Sequence, residues 1–440
     1  MARKDREEQE ILDRSGIDRK QLEDQRAVLV GVGLQSEDKS EYLDSLAELM
    51  DLTETAGAEV VATTSQVLEK YNSGTLIGKG KVTEIKNIVK ETEANLVIID
   101  KQLTGQQAVK LESEVKVAVI DRTQLILDIF AQRAQSHEGK IQVELAQMLD
   151  QLPRMVGAWM GSLSRQGGGI GTRGPGETAL EMDRRRIRKR VEIIRSQLKT
   201  IQKRREQHRA SRRRNQVPSF ALIGYTNAGK STLLNQITQS EIYAKDQLFA
   251  TLDPTTRKVF LPDGPNAVIT DTVGFIRRLP TKLIEAFKAT LEESGDADIL
   301  LHIIDSNHPN MEKHIEVVEE LINEFQWSDK QVLYVYNKMD LVKPEQKLKL
   351  NRFPRVFISA QKNQGMDELK SKMTSMIEQL QEEYELFFPN EDRYKLFELA
   401  RESKLLRQEE ASSGVVVKVR LTPNGLHRWN EYLVKKQIIS

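Results

Sequence analysis

Gly224-Tyr225-Thr226-Asn227-Ala228-Gly229-Lys230-Ser231 is the stretch on which the reading of this chain turns. An apolar run, Phe220-Ala221-Leu222-Ile223, precedes it and reads as a short buried strand, while Thr232-Leu233-Leu234-Asn235-Gln236-Ile237 follows as a helix. Strand, glycine-rich turn and helix in that order form an anion cradle. The glycines let main-chain N–H groups converge without Cβ clashes, and the helix turns its positive end to the same point. Lys230 is expected to bridge the terminal phosphates of a nucleoside triphosphate and the Ser231 hydroxyl to hold Mg²⁺. The whole stretch through Thr232 is therefore taken as nucleotide-binding. The alternative, a bare turn with a chance Lys-Ser, does not require a flanking strand and helix.

Downstream, Phe249-Ala250-Thr251-Leu252-Asp253-Pro254-Thr255-Thr256-Arg257 is polar, rich in threonine and without helix or strand period. A threonine here can complete the metal shell and sense the γ-phosphate. Thr251 is the choice, with Thr255 and Thr256 as rivals, and Phe249 is counted with the nucleotide contacts. Ala267-Val268-Ile269 then runs into Asp271-Thr272-Val273-Gly274. At a strand end Asp271 can orient Mg²⁺, and the Gly274 N–H can reach the γ-phosphate. Lys230, Thr251 and Gly274 are the candidate catalytic set; Ser231, Thr251 and Asp271 are the candidate metal set.

Two more strands complete the site. Ile299 to Asp305 is one; Val332 to Tyr336 is the other and delivers Asn337-Lys338-Met339-Asp340. A carboxylate at Asp340 can accept two hydrogen bonds from guanine, which adenine cannot offer, so discrimination can be large. Lys338 would lie over the base and Asn337 would brace the loop. Val356-Phe357-Ile358 leads to Ser359-Ala360-Gln361, where the Ala360 N–H is placed to meet the guanine carbonyl. Any one of these motifs is common by chance, but all of them in order at strand ends are not. Residues 216–380 read as a P-loop GTPase domain of α/β class that uses GTP and GDP with Mg²⁺.

The 440 residues include 39% hydrophobic and 30% charged positions with a formal net charge of +1. Length on that scale allows about three domains. There is no cysteine, which excludes disulfides, thiolate metal sites and thiol nucleophiles. No apolar run approaches the ~18 residues of a membrane span, so a cytoplasmic protein is expected, with peripheral attachment through basic helices as an alternative. A monomer is expected.

Ahead of the GTPase domain, residues 1–24 read as a charged arm. Residues 25–122 alternate strands (Ala27–Val30, Val60–Ala62, Leu96–Ile99, Val117–Ile120) with helical patterns and predict a small parallel α/β domain. Within it Ile77-Gly78-Lys79-Gly80-Lys81 precedes a helix and could meet phosphates of RNA or of a second nucleotide such as ATP; a turn with solvated lysines is the equal alternative.

Residues 123–215 read as a helical hairpin. Ile141, Leu145, Met148 and Leu152 form one stripe; Ile187, Val191, Ile194, Leu198 and Ile201 form a heptad seam on a second helix. The second helix also carries fifteen lysines and arginines between Arg184 and Arg214. A tip loop at 165–177, Gly167 to Gly176 with Arg165, Gly168 and Arg173, joins them. Dense positive charge with few balancing acids favours a nucleic-acid backbone over a merely solvated face, with Arg184, Arg185 and Arg188 as candidate RNA contacts and an anionic membrane as the weaker competitor. Residues 381–440 predict a small α/β appendage, with a helix around Tyr394 to Leu405 and a strand Val415 to Leu421.

The order and wording of these motifs resemble the translation-factor-related GTPases and, within them, the HflX family. The particular marks are the glycine belt followed by Glu177, the run Leu125-Ile126-Leu127-Asp128-Ile129-Phe130, and Phe249 to Arg257; the likeness covers about residues 25–380. It implies a GTPase that binds the large ribosomal subunit and splits or rescues stalled ribosomes under stress, and it gives the hairpin ribosomal RNA as a target. Many GTPases place a glutamine directly after Asp-x-x-Gly to orient the attacking water. Here Phe275 stands at that position, so slow hydrolysis alone and acceleration by the ribosome are expected. The rival readings are an ATP-driven RNA-remodelling protein and a membrane-associated regulatory switch.

Overall fold

The computed structural model describes residues 25–37, 39–163, 175–214, 217–238, 248–249, 252, 255–262, 267–277, 280–343, 350–422, 426 and 428–435. Glycine-belt residues Arg165, Gly168 and Arg173, the arm 1–24, and Thr251 lie outside the described residues. Two compact units are present. One comprises Met1–Leu198, Gln247–Phe249 and Arg278–Phe287; the other comprises Lys199–Asp246, Ala250–Arg277 and Lys288–Ser440.

In the first unit, β1 (Arg26–Leu34), β2 (Glu59–Leu68), β3 (Leu96–Ile99) and β4 (Ala118–Asp121) form a sheet in the order β2-β1-β3-β4. All three pairings are parallel. The connections are the helices α1 (Lys39–Thr55), α2 (Lys79–Thr92) and α3 (Gly105–Val115), as crossovers between parallel strands require. β1 from Ala27 to Gly33 and all of β3 are apolar and buried on both faces, the signature of a covered parallel sheet. Next come α4 (Arg122–Arg133), α5 (His137–Leu163) and α6 (Pro175–Arg214). The single helical pattern expected from Leu125 to Met155 is thus two helices, because the chain leaves the helical region at Ala134, whose ψ is 109°.

α4 begins at a capping box in which Asp121 and Gln124 exchange side-chain and main-chain bonds. Asp121 is fully buried, also accepts from Leu103 N at 2.8 Å, and pairs with Arg154 of α5 at 2.6 Å. The stripe Ile141, Leu145 and Met148 is buried, as are Ile187, Val191 and Ile194 of α6. Arg190 clasps both oxygens of Glu144 at 2.8 and 3.1 Å, tying α6 to α5.

The second unit holds two sheets. The larger has the order β10-β9-β8-β5-β7-β6, with β5 (Ser219–Gly224), β6 (Thr255–Val259), β7 (Ala267–Asp271), β8 (Ile299–Asp305), β9 (Gln331–Asn337) and β10 (Arg355–Phe357). All pairs are parallel except β6 with β7. The threonine-rich segment therefore does include strand: Thr255 to Val259 forms an edge, with the Thr256 hydroxyl 2.9 Å from that of Thr270, a cross-strand pair rather than a helix or strand period visible locally. α7 (Lys230–Thr238), α9 (Met311–Glu324) and α10 (Met366–Gln379) accompany the sheet, and α8 (Thr281–Gly295) spans the division between the units.

The smaller sheet, order β12-β13-β11-β14, is antiparallel throughout. It consists of β11 (Glu382–Pro389), β12 (Lys404–Ala411), β13 (Gly414–Leu421) and β14 (Leu433–Lys435), and α11 (Lys395–Glu402) packs on its core. The helix expected to run to Leu405 ends at Glu402. Leu405 satisfies the helical period of Leu396 and Leu399 yet pairs with Val419 in the sheet.

Candidate nucleotide site

Four described segments, 224–231, 271–275, 337–340 and 359–362, converge beyond the carboxyl ends of the strands of the larger sheet, the place where open α/β sheets bind ligands. β5 is central, paired on one side with β8 and on the other with β7. Beyond it Gly224, Asn227 and Gly229 all adopt positive φ, at 149°, 60° and 93°, so the main chain curls round on itself. Close approach also forbids any side chain at Gly229, where a Cβ would overlap the Asn337 amide.

Lys230 is buried and donates from Nζ to the carbonyl oxygens of Gly224 and Tyr225 at 3.0 and 2.8 Å. Burial pushes its pKa down to about 8, against the opposing pull of Asp271. The Ser231 hydroxyl donates to Asp271 Oδ2 at 2.7 Å, and Asp271 Oδ1 accepts from Thr272 N at 2.9 Å. Thr272 in turn bonds Leu222 O at 2.6 Å, fixing the end of β7 to the end of β5. Thr226 Oγ1 is buried without a partner among the described residues, and Thr232 is half-buried on α7. An orphaned hydroxyl in the turn that leads into the N-terminus of α7 fits a polar ligand.

Gly274 lies against this turn: a Cβ there would stand 2.9 Å from Thr226 Cγ2 and 3.0 Å from Lys230 Nζ. Phe275 is 1% exposed. Its main chain bridges the turn, N–H to Gly224 O at 3.1 Å and O from Thr226 N at 2.7 Å. One anchor was absent from the sequence reading. The Tyr225 hydroxyl accepts from Arg277 N at 2.9 Å, and its ring stacks on His314 with centroids 3.7 Å apart. No periodicity relates Tyr225 to a helix ninety positions away in the chain, so only the fold brings them together.

At the other end, Asn337 terminates β9 and is 2% exposed. Its Nδ2 donates to Ala228 O at 2.9 Å, and its Oδ1 accepts from Ala360 N at 3.0 Å. The Ala360 N–H, expected to point at a base, is given to Asn337 here. Lys338 adopts a φ of 60° and pairs through Nζ with Asp305 at 2.8 Å, a partner that ends β8. Asp340 follows in a short turn. A hydrogen bond from the Ser359 hydroxyl is the main cause holding its carboxyl below the usual range, and Lys362 stands 3.7 Å away. Gln361 is exposed. Phe249 is 2% exposed with its ring edge-on to Phe130, centroids 4.7 Å apart.

Hydroxyl and carboxylate at Ser231 and Asp271 are hard oxygen donors held together, a set that suits Mg²⁺, which keeps several waters and phosphate oxygens of its own. In the other unit the Gly78 N–H is taken by Gln66 Oε1 at 3.0 Å, and Lys81 Nζ is bonded to Thr64 and Glu84 at 3.0 and 2.7 Å. On α6 Arg185 and Arg188 are exposed and Arg184 is half-buried. Among the described residues no helix is long and apolar enough to cross a membrane.

Three family models match in succession: a GTP-binding GTPase N-terminal region over residues 43–131, a GTP-binding GTPase middle region over 133–212, and a "50S ribosome-binding GTPase" over 219–338. The chain is 44% identical to a GTPase HflX of Caldanaerobacter subterraneus subsp. tengcongensis, covering 93% of this chain and 94% of that one. It is 51% identical to a GTPase HflX of Alkalihalophilus pseudofirmus over 73% of this chain and 76% of the relative. With a GTPase HflX of Escherichia coli the identity is 41%, covering 90% and 93%.

Proposed function

The chain belongs to the HflX family of GTPases, and from that membership we propose a GTP-hydrolysing factor that docks on the large ribosomal subunit through ribosomal RNA and splits or rescues stalled ribosomes. The observation that carries the nucleotide part is the junction of strand-end loops, with Ser231 on Asp271 at 2.7 Å and Asn337 bonded to both Ala228 and Ala360. The ribosomal part is supported by the description of the model matching residues 219–338 and by the basic α6.

In this reading the main-chain N–H groups of Asn227, Gly229 and Lys230, together with the Lys230 ammonium, hold the phosphates. Ser231 and Asp271, joined by Thr251, are the residues that would hold Mg²⁺, which when bound supplies positive charge to the phosphate oxygens. Asp340, kept ionised by Ser359, accepts from the guanine ring N–H and exocyclic amine, while Lys338 flanks the base. Gly274 brings its N–H to the γ-phosphate. No group at Phe275 can accept or donate a proton, so water is left without its usual orienting residue and turnover is slow. The large subunit supplies or orders that group. The Gly78–Lys81 turn lacks the positive-φ glycines that curl the main chain at Gly224 and Gly229, Gly78 having a φ of −69°, and so does not favour a second nucleotide.

Turnover of GTP by the wild-type chain, with and without purified large subunits, tests the proposal. Stimulation of about 100-fold or more is expected, the lower range for supplying one transition-state group; equal rates would remove the ribosomal part. Asp340→Asn, included as the nucleotide control, should lose GTP affinity by about 100-fold or more because its amide sets a donor against guanine's donors. It should accept xanthosine triphosphate instead, and unchanged preference for GTP would remove the guanine assignment.

A further inference from the structure

Gly274, whose N–H is assigned above to the γ-phosphate, has no side chain with which to hold its own place. Its neighbours hold it instead. On one side the Thr272 hydroxyl is tied to Leu222 O at 2.6 Å. On the other, Phe275 is bonded main chain to main chain with Gly224 and Thr226, at 3.1 and 2.7 Å. Two residues further on, the Arg277 N–H donates to the Tyr225 hydroxyl at 2.9 Å. Tyr225 therefore belongs to the phosphate turn and also grips the segment that follows Gly274. A Cβ at Gly274 would stand 3.0 Å from Lys230 Nζ, so a small shift of this segment is felt beside the ammonium that meets the phosphates.

The tyrosine is itself held in place. Its ring is 6% exposed and lies flat on His314, with centroids 3.7 Å apart and planes 3° from parallel. His308 backs His314 at 4.2 Å, and His308 Nδ1 accepts from Asn310 N at 3.0 Å. His314 stands in the first turn of α9, next to the fully buried Ile315, which packs with Ile304 of β8 and Tyr336 of β9. Stacked rings fix orientation as well as burying area, so the phenol hydroxyl is aimed by a helix that is seated on the sheet.

We propose that Tyr225 is a positioning residue for GTP hydrolysis: its hydroxyl holds the Phe275–Arg277 segment so that the Gly274 N–H faces the γ-phosphate, and His314 aims that hydroxyl. The inference rests on the function proposed above and deepens it, naming the side chain through which the phosphate turn sets the Gly274 contact. GDP has no γ-phosphate, and the N–H groups that meet its phosphates lie on the turn itself. Its binding is therefore independent of the hydroxyl.

Tyr225→Phe keeps the ring and its stack and removes only the acceptor. The full chain, as wild type, Tyr225→Phe, His314→Ala, His314→Phe and the double variant Tyr225→Phe/His314→Ala, is compared by single-turnover GTP hydrolysis and by GDP affinity. Hydrogen exchange of the peptide Val273–Arg277, measured without nucleotide, is the third readout. Tyr225→Phe should slow hydrolysis by about 3- to 10-fold, the worth of one hydrogen bond. GDP affinity should stay within about twofold, inside the scatter of independent changes, and exchange of the peptide should quicken. His314→Ala should slow hydrolysis, His314→Phe should recover part of the rate, and the double variant should be no slower than the worse single one, since both act through one hydroxyl. Equal losses of GDP affinity and rate would mean a merely structural ring and overturn the proposal, as would unchanged hydrolysis, unchanged exchange or strictly multiplicative effects. Should His314→Ala fail to fold, His314→Leu takes its place in the same comparison. A wild-type chain that does not hydrolyse GTP would instead bring down the functional reading itself, and the role of Tyr225 with it.

Discussion

His302 shows how a single side chain in this molecule ties stability to pH. It sits in the middle of β8, opposite Ile223 on one neighbour and Tyr334 on the other, and is 1% exposed. Its Nδ1 has no partner among the described residues. Burial first, then the charges of Lys230 and Arg352, push its pKa down to about 3. In the unfolded chain the imidazole takes its proton near the ordinary value of about 6.5. Protonation therefore favours unfolding: the stability is intact above that value and is lost as pH falls from there toward 3, by at most about 1.4 kcal/mol per pH unit. His302→Leu should remove this loss. Urea midpoints of the two proteins compared from pH 7 to pH 4.5 should diverge in favour of the variant, and a constant difference would show that the histidine is not buried neutral. Nothing local marks this residue, since Ile299 to Asp305 reads simply as a buried strand. By contrast Lys230, Ser231 and Asp271 were legible, because each motif is short and sits at the end of an apolar run.

At the level of elements, the joint between β4, α4 and α5 rests on Asp121. It caps α4, holds Leu103 N and pairs with Arg154, which also reaches Asp150 at 2.7 Å. Removing one member of a buried pair leaves the other charge stranded. Asp121→Ala should destabilise the first unit by about 3–5 kcal/mol from the broken pair, with about 1 kcal/mol more from the lost cap. Amide exchange in α4 and β3 reports it. Protection within tenfold of wild type would show that Arg154 finds another partner. The helices and parallel strands here were readable from period and from turn residues. β12 was not: Lys404-Leu405-Leu406-Arg407-Gln408-Glu409-Glu410 is a charged edge, and charge of that kind protects an edge from further pairing while erasing the alternation that would reveal it. β11 does alternate, burying Tyr384, Leu386 and Phe388, a signal that the run Glu382-Glu383-Tyr384-Glu385 obscured at its start.

For the molecule as a whole, the proposed docking on RNA has a measurable electrostatic signature. Arg185 and Arg188 are exposed on α6, whereas Arg190 and Arg195 are committed to Glu144 and Glu285. Each phosphate neutralised adds about 0.7–0.9 to the slope of log affinity against log salt. Arg185→Ala/Arg188→Ala should therefore lower that slope for large-subunit binding by about 1.5, with GTP affinity unaltered. An unchanged slope would take these arginines out of the interface. Sequence alone gave the α/β class and the strand-end order of the nucleotide loops, because both are written in contiguous words. What it could not give was the meeting of Phe130 with Phe249 and Phe287, whose contacts cross long stretches of chain and leave no periodic trace.

Asn337 has one more consequence. Its amide fastens the turn at Ala228 to the turn at Ala360, welding into one jaw what the chain spells as two remote words. A nucleoside without phosphates, or pyrophosphate without a base, fills a single end of that jaw yet bears the whole loss of translational freedom; joined in one molecule the halves bear it once. On the proposed reading the protein is thereby tuned to intact guanine nucleotides and deaf to their fragments, a filter that hangs on one side-chain amide.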